Sequence, residues 1–140
     1  MLLKINGKEY ELRFGFDFIG YINKMSSLEM EAEEGINLKL SGITGMKLLT
    51  VGISQKMPST LRLLIKGATI TEKSIPSNIE LENFIEELLE DENTYNEVYD
   101  EIVKEMGKRS IVLKEMGITR EEWEQALKEE TEEASKKKTK

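Results

Sequence analysis

Residues 3–14 hold the feature that most limits what this chain can fold into. Leu3 and Ile5 alternate with Lys4 and Asn6, and Tyr10, Leu12 and Phe14 alternate with Glu9, Glu11 and Arg13. A period of two belongs to a strand with one buried and one solvated face. Between the runs sits Asn6-Gly7, the dipeptide best suited to positive φ in a type I′ turn. A β-hairpin is therefore predicted over residues 2–14. A two-stranded ribbon is marginal alone, so its apolar face must pack on helices or pair with another strand. Most of the apolar pattern that follows is helical in period. The fold class this implies is α+β, predominantly helical, with the hairpin packed on a bundle of roughly five to six helices.

The helices are read from caps and stripes. Asp17 is a plausible N-cap for a helix to about Ser26 with Phe18, Tyr21, Ile22 and Met25 on one face. Residues Glu29 to Gly35 are acidic, end in Gly and read as a loop. Ile36, Leu38 and Leu40 alternate like a short strand, while Gly42 and Gly45 argue for irregular backbone. Met46 to Ser54 reads as a short buried helix carrying Leu48, Leu49, Val51 and Ile53. Pro58 suits the first turn of the next helix, because its missing N–H is an orphan there anyway; Leu61, Leu64, Ile65 and Ala68 line its inner face. Ile75-Pro76 is a turn or extended link. Ser77-Asn78-Ile79-Glu80 is a capping-box signature opening a helix with Leu81, Phe84, Ile85, Leu88 and Leu89 on one stripe. Thr94-Tyr95-Asn96-Glu97 is expected to open another, and Thr119-Arg120-Glu121-Glu122 a third, with Ile118 stapled against Trp123. After Leu127 the apolar pattern stops.

The chain has 140 residues, of which 39% are hydrophobic, enough for one modest core and hardly for two. The expected organisation is one globular domain over residues 1–127, with the helices within 17–127, and a charged tail over 128–140 that is a frayed helix or disordered. There is no Cys and no His. That rules out disulfides, zinc knuckles, thiol nucleophiles and the commonest general base and metal ligand. An enzyme would have to work with Asp, Glu, Lys or Tyr alone. The formal net charge of −7 repels a phosphate backbone, so nucleic acid is not an expected ligand. No run approaches a membrane span, and the first residues lack the build of a signal peptide.

The charge is concentrated. Residues 80–105 contain eleven Asp or Glu and one basic residue, Lys104. Such a run either solubilises a helix face or steers a basic partner. The helices forgo nearly all the i,i+4 Glu–Lys pairs that would stabilise them by ~0.2–0.5 kcal/mol each, which tilts the reading toward steering. Glu86 and Glu90 share a face, as do Glu97 and Glu101. A catalytic pair needs environments that push two pKa values apart, and nothing nearby supplies them. Asp91 to Tyr95 starts loosely like a calcium loop but lacks the Gly at position six and the acidic residue at twelve. Gly42-Ile43-Thr44-Gly45 has a GxxG spacing, read here as a turn. Tyr95, Tyr99 and Trp123 are the best candidate protein-binding anchors, although helical spacing favours the core for the two tyrosines. With Glu86, Glu90, Glu97 and Glu101 they form the candidate protein-binding set; no catalytic, cofactor or metal residues are assigned.

The segment Ile5-Asn6-Gly7-Lys8-Glu9-Tyr10-Glu11-Leu12-Arg13-Phe14-Gly15-Phe16-Asp17-Phe18-Ile19 resembles the opening of the tail assembly chaperones of siphophages infecting Gram-positive bacteria. That family similarly opens with an "INGKEYEL-F" hairpin, then a Gly and an aromatic-rich helix. Looser similarity extends over Gly45 to Leu49, Pro58 to Ala68 and the acidic helices from Asn78 to Met106, covering roughly residues 1–116. The resemblance implies a protein of the host cytoplasm, absent from the finished virion. It implies binding to the tail tape-measure protein, recruitment of tail-tube protein and no cofactor, and several members of that family self-associate. The family has no motif of catalytic residues. Many such genes make a longer product by frameshifting, and Lys136-Lys137-Lys138 is the expected imprint of an A-rich slippery sequence. Two rival readings stand beside this one. A small acidic adaptor or inhibitor of a basic, nucleic-acid-binding protein would bind that protein and not a tape-measure fragment. A carboxylate or Lys enzyme would show a deep pocket with converging charged groups.

Overall fold

The structure is a computed structural model and describes the backbone of residues 1–34 and 45–138, with the side chains of 1–25 and 45–129. Strands β1 (Leu2–Ile5) and β2 (Lys8–Glu11) precede seven described helices. These are α1 (Phe16–Glu34), α2 (Gly45–Ser54), α3 (Pro58–Ala68), α4 (Asn78–Leu89), α5 (Glu92–Gly107), α6 (Ser110–Met116) and α7 (Arg120–Lys138). The architecture is α+β and predominantly helical, with one or two more helices than the sequence pattern predicts.

The hairpin forms as its turn chemistry dictates. Asn6 and Gly7 take φ of 52° and 78°, the paired positive values of a type I′ turn. The strands pair antiparallel from Leu2 opposite Glu11 to Ile5 opposite Lys8. The end of β2 and the residues after it are tied to the end of α3 and the segment that follows: Glu11 N–H donates to Glu72 Oε1 at 2.8 Å, and Arg13 N–H donates to the Ala68 carbonyl at 2.9 Å. Ile5, Tyr10, Leu12 and Phe14 are buried with Phe18, Ile19 and Ile22 of α1. Phe14 meets Phe18 edge to face, centroids 5.0 Å apart. The ribbon thus packs on helices.

Helix α1 begins at Phe16, so Asp17 sits in its first turn and complements the helix dipole instead of capping it. The loop expected over residues 29–34 is helix. Glu, Met and Ala are strong helix formers, and no breaker intervenes before Gly35. The strand-like pattern of Ile36, Leu38 and Leu40 and the turn at Gly42 lie outside the described residues; Gly45 already opens α2. Asn23 Oδ1 of α1 accepts the Met46 N–H at 2.9 Å, satisfying one donor at that helix start. In α2, Met46 and Leu49 are buried but Val51 is 56% exposed, so the helix buries one stripe and not its whole circumference.

Pro58 occupies the first turn of α3, as predicted. Ser77 and Glu80 make a reciprocal capping box at α4, as predicted, although Leu89 at the end of that stripe is 41% exposed. Helix α5 starts earlier than Thr94: the Asp91 side chain caps it by accepting the Asn93 N–H at 3.1 Å. Asp ranks among the strongest N-caps, and the earlier start uses it. Helix α6 has no counterpart in the predicted set; at seven residues it is too short to show a period. It ends at Gly117, whose φ is 75°. Thr119 and Glu122 then exchange hydrogen bonds at 3.1 and 3.2 Å, the predicted cap of α7. The backbone of α7 stays helical to Lys138. Helix α1 packs on α2 and α3, α2 on α6, and α4 on α5. Buried residues from Ile5 to Trp123 form one cluster.

Candidate protein-binding groove

Helix α5 (Glu92–Gly107) does two jobs. Its first job is to clamp the corner between α2 and α3. The chain leaves α2 through Lys56, which has φ of 49°, a left-handed conformation that costs a non-Gly residue ~1–2 kcal/mol. Lys56 N–H donates to Ile53 carbonyl at 3.1 Å and Met57 N–H to Gly52 carbonyl at 3.0 Å, the paired bonds of a Schellman ending. The Tyr95 hydroxyl donates to the Lys56 carbonyl at 2.5 Å. The Tyr99 hydroxyl lies 3.3 Å from the Gly52 carbonyl oxygen and 3.2 Å from that of Met57. Asp100 pairs with the Lys56 ammonium at 3.0 Å. Tyr95 and Tyr99 are both buried and meet edge to face at 5.6 Å. Their hydroxyls are engaged and their rings inaccessible, so in this structure they hold the α2–α3 corner.

Burial raises the pKa of Tyr95 and raises that of Tyr99 further, with the neighbouring Tyr95 adding to the shift. The sign follows directly. The unfolded tyrosines titrate near 10.0 while the folded ones still hold their protons, so the stability they give is complete below pH 10 and is lost as pH rises through the folded values. Urea unfolding across pH should show a midpoint that falls above about pH 10. Tyr99→Phe, which removes one titrating group, should flatten that fall; equal slopes for the two proteins would exclude the tyrosine as its source.

The second job is to seat α7. Gly107 ends α5, and a Cβ built there would lie 2.2 Å from Trp123 Cε2. The indole thus rests directly on α5 backbone. Arg120 reinforces the seat: its guanidinium donates to the Gly107 carbonyl and to Ser110 Oγ, the latter at 3.1 Å. A cation on the last carbonyls of a helix is favoured by their partial negative charge.

A groove of about 430 Å³ opens beside this seat, walled by α2, α5, α6 and α7. Ile53, Val103, Met116, Ile118, Trp123 and Leu127 give it an apolar lining, with Glu122 and Glu129 on α7. Trp123 is 7% exposed, and Ala126 on the same lining is exposed. Ile118 and Trp123, the two positions of the expected staple, both line this groove.

The acidic candidates sit elsewhere. Glu86 and Glu90 line a separate hollow of about 360 Å³ with Asn6, Glu80, Asn83 and Glu87, between the hairpin turn and α4. Glu97 and Glu101 are exposed on α5 and line neither space. The candidate set is therefore not one constellation. Several acids of the 80–105 run have local structural partners: Glu80 and Asp91 cap helices, Asp100 pairs with Lys56 and Glu105 with Lys108 at 2.8 Å. That last bond lowers the Glu105 pKa. Among the described residues no group of three or more Asp or Glu is placed to hold a metal ion, and no helix is long and apolar enough to cross a membrane. Sequence reading missed Ile53, Val103, Met116 and Ala126 as a shared lining, because nothing local links four helices that only tertiary packing brings together.

A family model described as phage tail assembly chaperone protein, TAC, matches residues 2–121, from the first strand to the first turn of α7. No curated protein matches the chain, and no solved structure matches it.

Proposed function

Because the chain belongs to the phage tail assembly chaperone family, we propose that it binds the tail tape-measure protein, keeps it soluble and recruits tail-tube subunits during tail morphogenesis. It acts in the host cytoplasm and is left out of the finished virion. The observation that carries the reading is the apolar groove beside Trp123. Apolar surface moved from water into such a groove gains ~25 cal/mol per Å², and surface so covered is withdrawn from self-association. Binding of this kind needs no covalent step and no cofactor. It is reversible, so a tube subunit with greater affinity for the same segment displaces the chaperone.

Within this reading Trp123 shapes the groove wall from its buried seat on α5, and the exposed acids Glu86, Glu90, Glu97 and Glu101 steer approach without lining the groove. Co-expression tests it. The tape-measure protein produced with this chain should appear mainly in the soluble fraction. Produced alone, or with Ala126→Arg, which puts a long cation into the groove mouth, it should be mainly insoluble. Ala126 is exposed, so the variant keeps the core. Equal solubility with and without the chain would refute the chaperone reading, and full rescue by Ala126→Arg would move the site off this groove.

A further inference from the structure

We propose that the segment held in the α2–α5–α6–α7 groove is an amphipathic helix whose apolar stripe is flanked by Lys or Arg. The inference rests on the reading of this groove as the docking face and names the chemistry of its occupant.

Two observations carry it. The first is the nature of the walls. They are four helices and Ile118 of the α6–α7 link. Helix backbone donors and acceptors are consumed within each helix except at the ends, and at the α2 and α6 ends the Ile53, Gly52 and Leu113 carbonyls accept from Lys56, Met57 and Ile118 N–H. No strand edge lines the groove. An extended segment laid there would bury its own N–H and C=O groups without partners, at a cost of a lost hydrogen bond for each. A helix brings those groups already satisfied and offers side chains at i, i+3, i+4 and i+7 to an apolar trough. The lining residues Ile53, Val103, Met116 and Trp123 suit such a stripe.

The second is charge. Glu122 and Glu129 are the charged residues on the lining, and neither is ion-paired with a cation among the described residues. Glu122 Oε1 is turned toward Thr119 by the α7 cap, and Glu129 is approached by Gln125 Nε2 at 3.4 Å. Glu129 is exposed. A carboxylate on an apolar rim rewards a cation beside the stripe and penalises an anion there. The chain's net charge of −7 acts in the same direction at longer range.

Fluorescence anisotropy with three synthetic peptides decides it. One peptide carries Leu at i, i+3, i+4 and i+7 with Lys on the flanks. The second replaces every Lys with Glu. The third has the composition of the first in an order that destroys the stripe. The Lys-flanked helix should bind at least about tenfold more tightly than either other peptide, a difference of ~1.4 kcal/mol. Ala126→Arg should weaken it about tenfold, and Glu129→Lys should weaken it several-fold while improving the Glu-flanked peptide. Circular dichroism of both variants should match the parent, since both positions are exposed. The proposal is overturned if the Lys-flanked peptide does not bind, if the scrambled peptide binds as well, or if Ala126→Arg changes nothing. Equal binding of the Lys- and Glu-flanked helices, both lost in Ala126→Arg, would overturn the cationic class while leaving the groove as the tape-measure site.

Discussion

Replacing Tyr99 with Ala is expected to lower stability by about 4 kcal/mol, near the upper range for an aromatic removed from a core. Tyr99 is fully buried, and it packs edge to face on Tyr95. Its loss opens a cavity and leaves the Gly52 and Met57 carbonyl oxygens without the hydroxyl that faces them. Tyr99→Phe keeps the ring and removes only that hydroxyl, so it should cost about 1 kcal/mol. The difference separates packing from the polar clamp. Urea unfolding of the three proteins measures both terms. If Tyr99→Phe costs as much as Tyr99→Ala, the hydrogen bonds hold the α2–α3 corner and the ring does not; if both are nearly silent, the clamp has no energetic role.

The second large effect is at Gly107, and its sign depends on the partner. Ala is favoured over Gly inside a helix by ~1 kcal/mol. At Gly107 the new methyl would sit 2.2–2.3 Å from Trp123 atoms, and overpacking of this kind costs ~1–3 kcal/mol before any loss of the indole's own burial. Gly107→Ala should therefore destabilise the protein by about 2 kcal/mol. It should also red-shift the emission of Trp123, the single Trp of the chain, as the ring is pushed from its seat. In a Trp123→Ala background the same substitution should become neutral or stabilising. That reversal is a coupling a double-mutant cycle reads directly. A stabilising Gly107→Ala in the parent protein would mean that α7 is not seated on α5 as described.

What was legible in the sequence divides along the range of the interaction. The hairpin was readable because alternation and Asn6-Gly7 act within a few residues. The caps at Ser77 and Thr119 were readable for the same reason, each being a reciprocal bond across three positions. The α5 start was displaced because Asp91 and Thr94 both have cap chemistry, and Asp91, the stronger N-cap, takes the role. The loop expected over residues 29–34 is helix because the propensity of Glu and Ala outweighs acidic charge as a loop signal. The roles of Tyr95 and Tyr99 show the deeper limit. Helical spacing pointed both to the core, but their hydroxyls meet carbonyls 39 to 47 residues away, a distance no local pattern spans. The groove is wholly of this kind. Trp123 stood out as an aromatic beside a cap, whereas Val103 and Ile53 carried no mark distinguishing a groove wall from a core stripe.

The claim that the groove beside Trp123 is the docking face for a tail component can be tested most directly by hydrogen–deuterium exchange. The protein should be measured alone and with a soluble tape-measure fragment bound. Binding at the groove should slow exchange in the segments that wall it, around residues 50–54, 103–106 and 116–127, and leave the β-hairpin turn at Asn6-Gly7 unchanged. Protection confined to the hairpin and α4, with those walls unaltered, would contradict the account and place the binding face on the acidic side of the molecule.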